Sequence, residues 1–306
     1  MERIAYDEFG YFHENAAEFG LPYDGPPAVR REFVEVSPGC RLSALVWGTA
    51  PPEIVLLHGG AQNAHTWDTV ALALKRPLVA IDLPGHGHSD AGAPTGRRLL
   101  VEDMAADVAV VIEALAPEAA GVVGMSLGGL TTLALTTVAP ALVRRVVLVD
   151  VLPTLDPRGT GAIHAFVHGP DSFASFEELL ARTMAHNPTR SESSLRRGIL
   201  HNAVQREDGS WVWRYARHRE GGLPAERDLE TAGNRVEALW EAVSALSVPL
   251  MLVRGMAAGS VVSDDAEKEL LARRPDARVE HVEGAGHSVQ GDRPVELAQL
   301  IHSFIP

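Results

Sequence analysis

Residues 122–130 read Val-Val-Gly-Met-Ser-Leu-Gly-Gly-Leu. Ser126 has glycine two places before it, at Gly124, and two places after it, at Gly128. A short apolar run, Gly121 to Met125, precedes the serine, and a stretch rich in Gly, Leu, Thr and Ala that can form a helix follows. This is the G-x-S-x-G pattern in a strand, turn and helix context. Such a turn strains the serine backbone and lifts its hydroxyl clear, at the positive end of the helix. A serine hydroxyl is a poor nucleophile unless a base takes its proton. Residues 284–288, Gly-Ala-Gly-His-Ser, follow a β-like run at 279–282 and can carry the imidazole of His287 across to Ser126. Attack on a carbonyl also needs backbone N–H donors for the developing oxyanion. The run Ile54–Leu57 ends in His58-Gly59-Gly60-Ala61-Gln62-Asn63. The expected donors are Leu127, next to the nucleophile, and Gly60, with Ala61 as the alternative. His58 is expected to anchor this loop through hydrogen bonds.

These groups must be positioned by a larger scaffold. Candidate strands fall at 31–36, 42–47, 54–57, 78–81, 121–124, 146–149, 250–253 and 279–282. Several are unbroken Val, Ile and Leu runs, as expected of strands covered on both faces. Helical spacing marks 102–115, with Met104, Val108, Val111, Ile112 and Leu115 on one stripe and Pro117 as a stop. A second helix is read at 264–274, with Ser263 as N-cap. The alternation predicts an α/β fold with a mainly parallel, doubly wound sheet. Residues 155–245 break this rhythm and hold Phe166, Phe173, Phe176, Trp211, Trp213, Tyr215 and Trp240. They read as a mainly helical cap inserted between core segments 1–154 and 246–306, over the carboxyl ends of the strands. Its clearest helical pieces are 176–184 and 236–246. The first 25 residues or so read as a peripheral arm.

Composition bounds the partners. The chain has 306 residues, 46% hydrophobic and 22% charged, ordinary for a globular protein. Its formal net charge of −13 provides no basic footprint for nucleic acid or an anionic membrane. No stretch approaches the ~18 apolar residues of a membrane span. Cys40 is the only cysteine, which excludes an intrachain disulfide and fits a reducing, cytoplasmic setting. The acidic start has no apolar signal-peptide core.

The strings Gly-Met-Ser-Leu-Gly-Gly, His-Gly-Gly, Asp82-Leu-Pro-Gly-His-Gly-His-Ser89 and Gly-Ala-Gly-His together resemble the α/β-hydrolase superfamily over about residues 40–306. Residues 62–68 and 209–215 are similar to those of a mycobacterial capped serine esterase. The resemblance implies eight strands, a helical cap between strands six and seven, and ester hydrolysis without metal or organic cofactor. A serine nucleophile points away from the dehalogenases and epoxide hydrolases of this superfamily, which use aspartate. Most members place the third catalytic group, an aspartate, after strand seven. Here that position is Ala258. Some members place it after strand six, where this chain has Asp150. Asp150 is therefore the expected partner of His287, with Asp264 or Asp265 as alternatives. The chain order serine, acid, histidine holds for all three.

His86-Gly-His88-Ser-Asp90 imitates the start of a metallo-hydrolase site, but the next residue is Ala91. Asp82, Gly85 and Gly87 are expected instead to shape a turn bordering the site. Met125, Phe166, Trp213 and Tyr215 are the candidate substrate contacts. Arg196, Arg197, Arg214, Arg217 and Arg219 read as solvated, and any one turned inward would select a carboxylate or phosphate. The expected function is hydrolysis of small to medium acyl esters through an acyl-enzyme. C–C bond hydrolysis, lactone hydrolysis or a lyase step on the same triad is the alternative. A slow-turnover ligand receptor is the alternative of another class.

Overall fold

The computed structural model describes residues 4–91, 100–215 and 229–306. In chain order the elements are α1 (Phe12–Glu18), β1 (Val29–Ser37), β2 (Cys40–Trp47), β3 (Ile54–Leu57), α2 (Asp68–Leu74), β4 (Leu78–Ile81), α3 (Val101–Leu115), β5 (Gly121–Met125), α4 (Leu127–Val138) and β6 (Val146–Val149). They continue with α5 (Pro157–Val167), α6 (Phe176–His186), α7 (Glu192–Asn202), β7 (Ala203–Gln205), β8 (Trp211–Trp213) and α8 (Leu229–Ala245). The chain closes with β9 (Leu250–Gly255), α9 (Asp264–Arg273), β10 (Arg278–Val282), α10 (Val289–Asp292) and α11 (Pro294–Phe304).

Eight strands form one sheet in the order β1-β2-β4-β3-β5-β6-β9-β10. The β1–β2 and β2–β4 pairs are antiparallel and the remaining pairs parallel. All eight strands read from the sequence are present. The central ones are apolar throughout because helices cover both faces. Leu42, Val55, Leu57, Val122 and Leu148 fill one side of the sheet together with α3 and α4. Leu45, Leu56, Val123, Val147 and Val253 fill the other, with α2 and α11. At β1 the burial alternates, as befits an edge strand with one wet face. Among the described residues no helix is long and apolar enough to cross a membrane.

Between β6 and β9 the chain departs from the sheet. Phe173, Phe176, Leu179, Ile199, Leu200 and Trp211 pack into a third apolar cluster of their own. The short hairpin β7–β8 closes it, and was not visible in the sequence because three residues per strand show no period. Its turn is set by Gly209, at φ 89°, and by the Asp208 carboxylate accepting from the Ser210 N–H. The helix expected at 236–246 extends from Leu229, and its Leu239, Trp240 and Val243 belong to the sheet core.

One expectation fails plainly. Residues 4–18 are not a peripheral arm. Phe12 is 1% exposed and packs on Trp47 with ring centroids 4.9 Å apart. Ile4, Tyr6 and Tyr11 cover the third cluster. Buried Arg197 on α7 donates to Asn15 and pairs with Glu14 and Glu18. The segment thus ties the sheet to α7, a long-range relation that local pattern does not report. Truncation of Phe12 to alanine should therefore cost about 3–5 kcal/mol, the range for an aromatic deleted from a core. Urea denaturation checks this, since removing a side chain from a loose arm would cost less than ~0.5 kcal/mol.

Candidate active site

Ser126 sits between β5 and α4 with φ 51° and ψ −119°, a conformation rarely adopted by a side-chain-bearing residue. Close approach on every side maintains it. A Cβ on Gly124 would lie 2.4 Å from the Gly128 carbonyl oxygen, and one on Gly128 would lie 2.3 Å from that of Leu57. A Cβ on Gly129 would lie 2.3 Å from Val151. The two flanking glycines of the motif are therefore required for backbone packing, and the third brings α4 onto the sheet.

Asp150 follows β6 directly, is fully buried, and also has positive φ, 46°. Its Oδ2 lies 2.9 Å from Nδ1 of His287, which leaves Nε2 as the basic nitrogen of the ring. Asp150 Oδ1 accepts from the Gly255 N–H at 3.1 Å and from Ser260 Oγ at 2.6 Å, while Oδ2 also accepts from the Val261 N–H at 3.0 Å. The loop after β9, vacant of the usual acid at Ala258, thus cradles an acid supplied by the neighbouring strand. Asp264 is 77% exposed in its side chain and pairs with Arg254, and Asp265 is 93% exposed and pairs with Lys268. Neither of these alternatives is brought to His287. Among the described residues no hydrogen bond joins Ser126 Oγ to His287, and catalytic hydrogen bonds are often loose before substrate binds.

The loop after β3 closes over Ser126. A Cβ on Gly59 would lie 2.5 Å from Met125 Sδ and 3.3 Å from Ser126 Cβ, so the loop approaches only because that position is glycine. His58 is fully buried. Its Nδ1–H donates to the Gly59 carbonyl at 2.8 Å, and its Nε2 accepts from the Leu83 N–H at 2.9 Å. Burial, reinforced by His86, pushes its pKa down to about 3, so the ring is a neutral brace. Among the described residues no acceptor takes the N–H of Gly60, Ala61 or Leu127. Gly60 lies 3.9 Å, from its Cβ direction, from the Leu127 side chain. Ala61 is held at φ 60°, and its carbonyl accepts from Asn202 Nδ2 at 2.7 Å. Gln62 Oε1 accepts from the Gly59 N–H and from Gln290 Nε2, three residues past His287. These two glutamines couple the loop after β3 to the His287 loop, and no local pattern marks either of them.

The Asp82 turn behaves as expected. Its carboxylate accepts from the N–H groups of Ala64 and His88 and from Arg31. Burial alone would raise its pKa, but Arg31, His58 and these N–H groups hold it below the ordinary value. A Cβ on Gly87 would meet that carboxylate at 2.4 Å. His86 and Asp90 bond instead to the Pro84 carbonyl and the Arg41 N–H, so the H-x-H-x-D string does not converge on an ion.

A second donor set, His65, Asp68 and His201, is buried with its ligand atoms within 4.8 Å. Here His65 Nδ1 contacts Asp68 at 2.9 Å and Nε2 contacts Glu8 at 3.1 Å, so both nitrogens carry protons. The His65 and His201 rings stack 3.8 Å apart at 13°. This is the geometry of an ion-pair cluster. Burial would depress the His65 pKa, but Asp68 and Glu8 raise it to about 9.

A cavity of about 200 Å³ adjoins these loops, lined by Gln62, Thr66, Phe166, Arg190, Trp213 and Ser288 among others. Two of the expected substrate contacts, Phe166 and Trp213, face it. Met125 does not, being 1% exposed and covered by the loop after β3, and Tyr215 is 6% exposed and stacked on Trp213. Arg196 is exposed, Arg197 is bound to α1, and Arg214 is half-buried. Arg217 and Arg219 lie outside the described residues. Two arginines line this cavity: Arg197, bound to α1, and Arg190, which carries no motif.

The fold and this arrangement agree with a match of the alpha/beta hydrolase family to residues 54–300, and the chain belongs to that family. Esterase Rv0045c of Mycobacterium tuberculosis is 43% identical, over 99% of this chain and 97% of its own. A crystal structure of that esterase has a TM-score of 0.81 at 40% identity, covering 99% of both chains. A 3-hydroxybutyrate-oligomer hydrolase of Cupriavidus necator is 29% identical over 84% of this chain and 90% of its own.

Two consequences are measurable. Replacing Ser260 with alanine removes a hydroxyl from a buried carboxylate, and kcat should fall roughly 10- to 100-fold with KM little changed. The His65 pKa is raised on folding, so its stabilisation is full below about pH 6.5 and is lost as pH rises through about 9. The stability gap between the native chain and His65→Gln should therefore narrow by a few kcal/mol between pH 6 and pH 10. Denaturant titrations at the two pH values check this.

Proposed function

We propose that the chain is a serine esterase that hydrolyses carboxylic esters of small to medium acyl chain. The observation that carries this reading is the 2.9 Å contact of His287 Nδ1 with buried Asp150, on loops that converge at the strained Ser126 turn. In this mechanism Ser126 Oγ attacks the ester carbonyl while His287 Nε2 takes its proton. The carbonyl π electrons move to oxygen, and the oxyanion is held by the N–H groups of Leu127 and Gly60, or of Ala61 in place of the latter. Asp150 fixes the His287 tautomer and stabilises the imidazolium. Collapse expels the alkoxide, which takes the proton from His287, leaving an acyl-serine. Water, activated by the same imidazole, then releases the acid and restores the hydroxyl. The segment from α5 to β8 serves as a cap, with Phe166 and Trp213 facing the substrate side. The chemistry needs no cofactor, and a cytoplasmic setting fits a chain with a single cysteine. Similarity to the Mycobacterium tuberculosis esterase and the Cupriavidus necator oligomer hydrolase supports the same reaction class.

Activity-based labelling with a fluorophosphonate should be lost in Ser126→Ala; labelling at full rate would overturn the nucleophile. Asp150→Asn should lower kcat by on the order of 10⁴-fold, the size of effect seen when tautomer control is lost in a serine protease. Asp264→Asn should leave turnover nearly unchanged, as its carboxylate is solvated and paired with Arg254. A panel of 4-nitrophenyl esters decides the reaction: turnover supports the esterase, and inertness with Ser126 still reactive favours C–C hydrolysis or a lyase step.

A further inference from the structure

Arg190 sits in the turn between α6 and α7 and lines the cavity that Gln62 and Ser288 also border. Its backbone N–H donates to the Asn187 carbonyl and its Nη2 to Ser194 Oγ at 2.5 Å. Its guanidinium lies against the base loop, where a Cβ on Gly291 would come within 2.0 Å of Nη1. Among the described residues no carboxylate lies within ion-pairing distance of it.

This sets Arg190 apart from the other inward arginines. Arg197 holds Glu14 and Glu18, and Arg31 holds Glu8 and Asp82. The charged groups that act on Arg190 are Asp292, Glu18 and Arg197. Glu18 is committed to Arg197 and Ser191, and Asp292 accepts from the Gly286 N–H. Asp68 also lines the cavity, but it is matched by His65. Burial pushes the Arg190 pKa down, the direction expected of a cation short of partners. A guanidinium offers five N–H donors, and here one hydroxyl is its side-chain partner. Removing a charge from water without a counter-ion is costly, and a positive charge left so beside a reactive centre is suited to an anion that arrives with the substrate.

The cavity adjoins Ser126 and His287 through their neighbours Gln62 and Ser288, which line it. Ser288 follows His287 in the chain. Gln62 Oε1 and Ser126 Cβ both lie within 3.4 Å of the point a Cβ on Gly59 would occupy. Phe166 and Trp213 supply apolar wall to the same cavity. The space is small, about 200 Å³, and Arg197, the other arginine lining it, is paired with Glu14 and Glu18.

We propose that this cavity is a subsite for a compact anion, a carboxylate, at the far end of the ester substrate, with Arg190 as its counter-charge. A carboxylate matches one guanidinium in charge and in fork geometry. The inference rests on the esterase reading, and deepens it by naming the substrate class as hemiesters of dicarboxylic acids or esters of hydroxy acids.

The test compares kcat/KM for 4-nitrophenyl hemiesters of succinic, glutaric and adipic acid with neutral 4-nitrophenyl alkanoates of equal length. The proteins are the native chain, Arg190→Met and Arg190→Lys. The native chain should favour at least one hemiester by roughly 10-fold or more, the value of a charge-assisted hydrogen bond. Arg190→Met should lose that preference while keeping its rate on the neutral esters, and Arg190→Lys should retain part of it. A matching ester ending in phosphate identifies the anion: a stronger, Arg190-dependent preference for it overturns the carboxylate assignment. An equal loss on charged and neutral esters, or no charge preference in the native chain, overturns the subsite. Failure of the esterase reading is separable. Free glutarate should slow fluorophosphonate labelling of Ser126 in the native chain and not in Arg190→Met, whether or not any ester is turned over. Absence of that protection also counts against the subsite.

Discussion

The approach of three backbone segments to within van der Waals limits at one point governs this molecule. The Ser126 turn, the start of α4 and the end of β3 share a space in which residues 59, 124 and 128 have no room for a side chain. Ser126 is held there at φ 51°, a conformation that costs roughly 1–3 kcal/mol for a residue with a Cβ. The parallel pairing of β3, β5 and β6 maintains it, because the strands end in register: Leu57 opposite Gly124, and Met125 opposite Val149. Every group of the proposed reaction leaves the sheet at or just past that line.

The acid illustrates how a sheet can exchange roles between neighbours. Asp150 and the loop after β9 lie side by side because β6 and β9 pair, with Val149 opposite Val253. A carboxylate on either strand end can reach the same imidazole. Once Asp150 supplies it, the adjoining loop contributes Gly255, Ser260 and Val261 as donors to the carboxylate. Two of these are main-chain groups, so they depend on the course of the loop more than on its side chains. The fully buried charge is satisfied by four hydrogen bonds, including that to His287, which is how such a group is retained in an apolar setting.

Much of this was legible in the chain. The G-x-S-x-G turn, the His-Gly-Gly loop and the Gly-Ala-Gly-His turn are local patterns whose meaning follows from glycine sterics. The apolar runs marked all eight strands because double burial leaves no polar positions. Asp150 was legible through the missing carboxylate at Ala258. Arg190, Gln62 and Gln290 were not, because each matters through a partner far away in sequence. Arg190 stands in an ordinary polar turn, and only its contact with Gly291 and the want of an acid nearby distinguish it. The same holds for Tyr6 and Glu8, which sit in a stretch without periodicity yet reach His201 and His65.

The strap formed by residues 4–18 bears on how the chain comes to be folded. Glu14 and Glu18 leave the ribosome about 180 residues before Arg197, their partner on α7. The first helix made can therefore dock on Trp47 early, while its acidic face waits, hydrated, for a helix not yet synthesised. Closing so long a loop is slow relative to local pairing. The α1–α7 ion pairs therefore wait for the middle of the chain, and the sheet is completed later still, when β9 and β10 emerge.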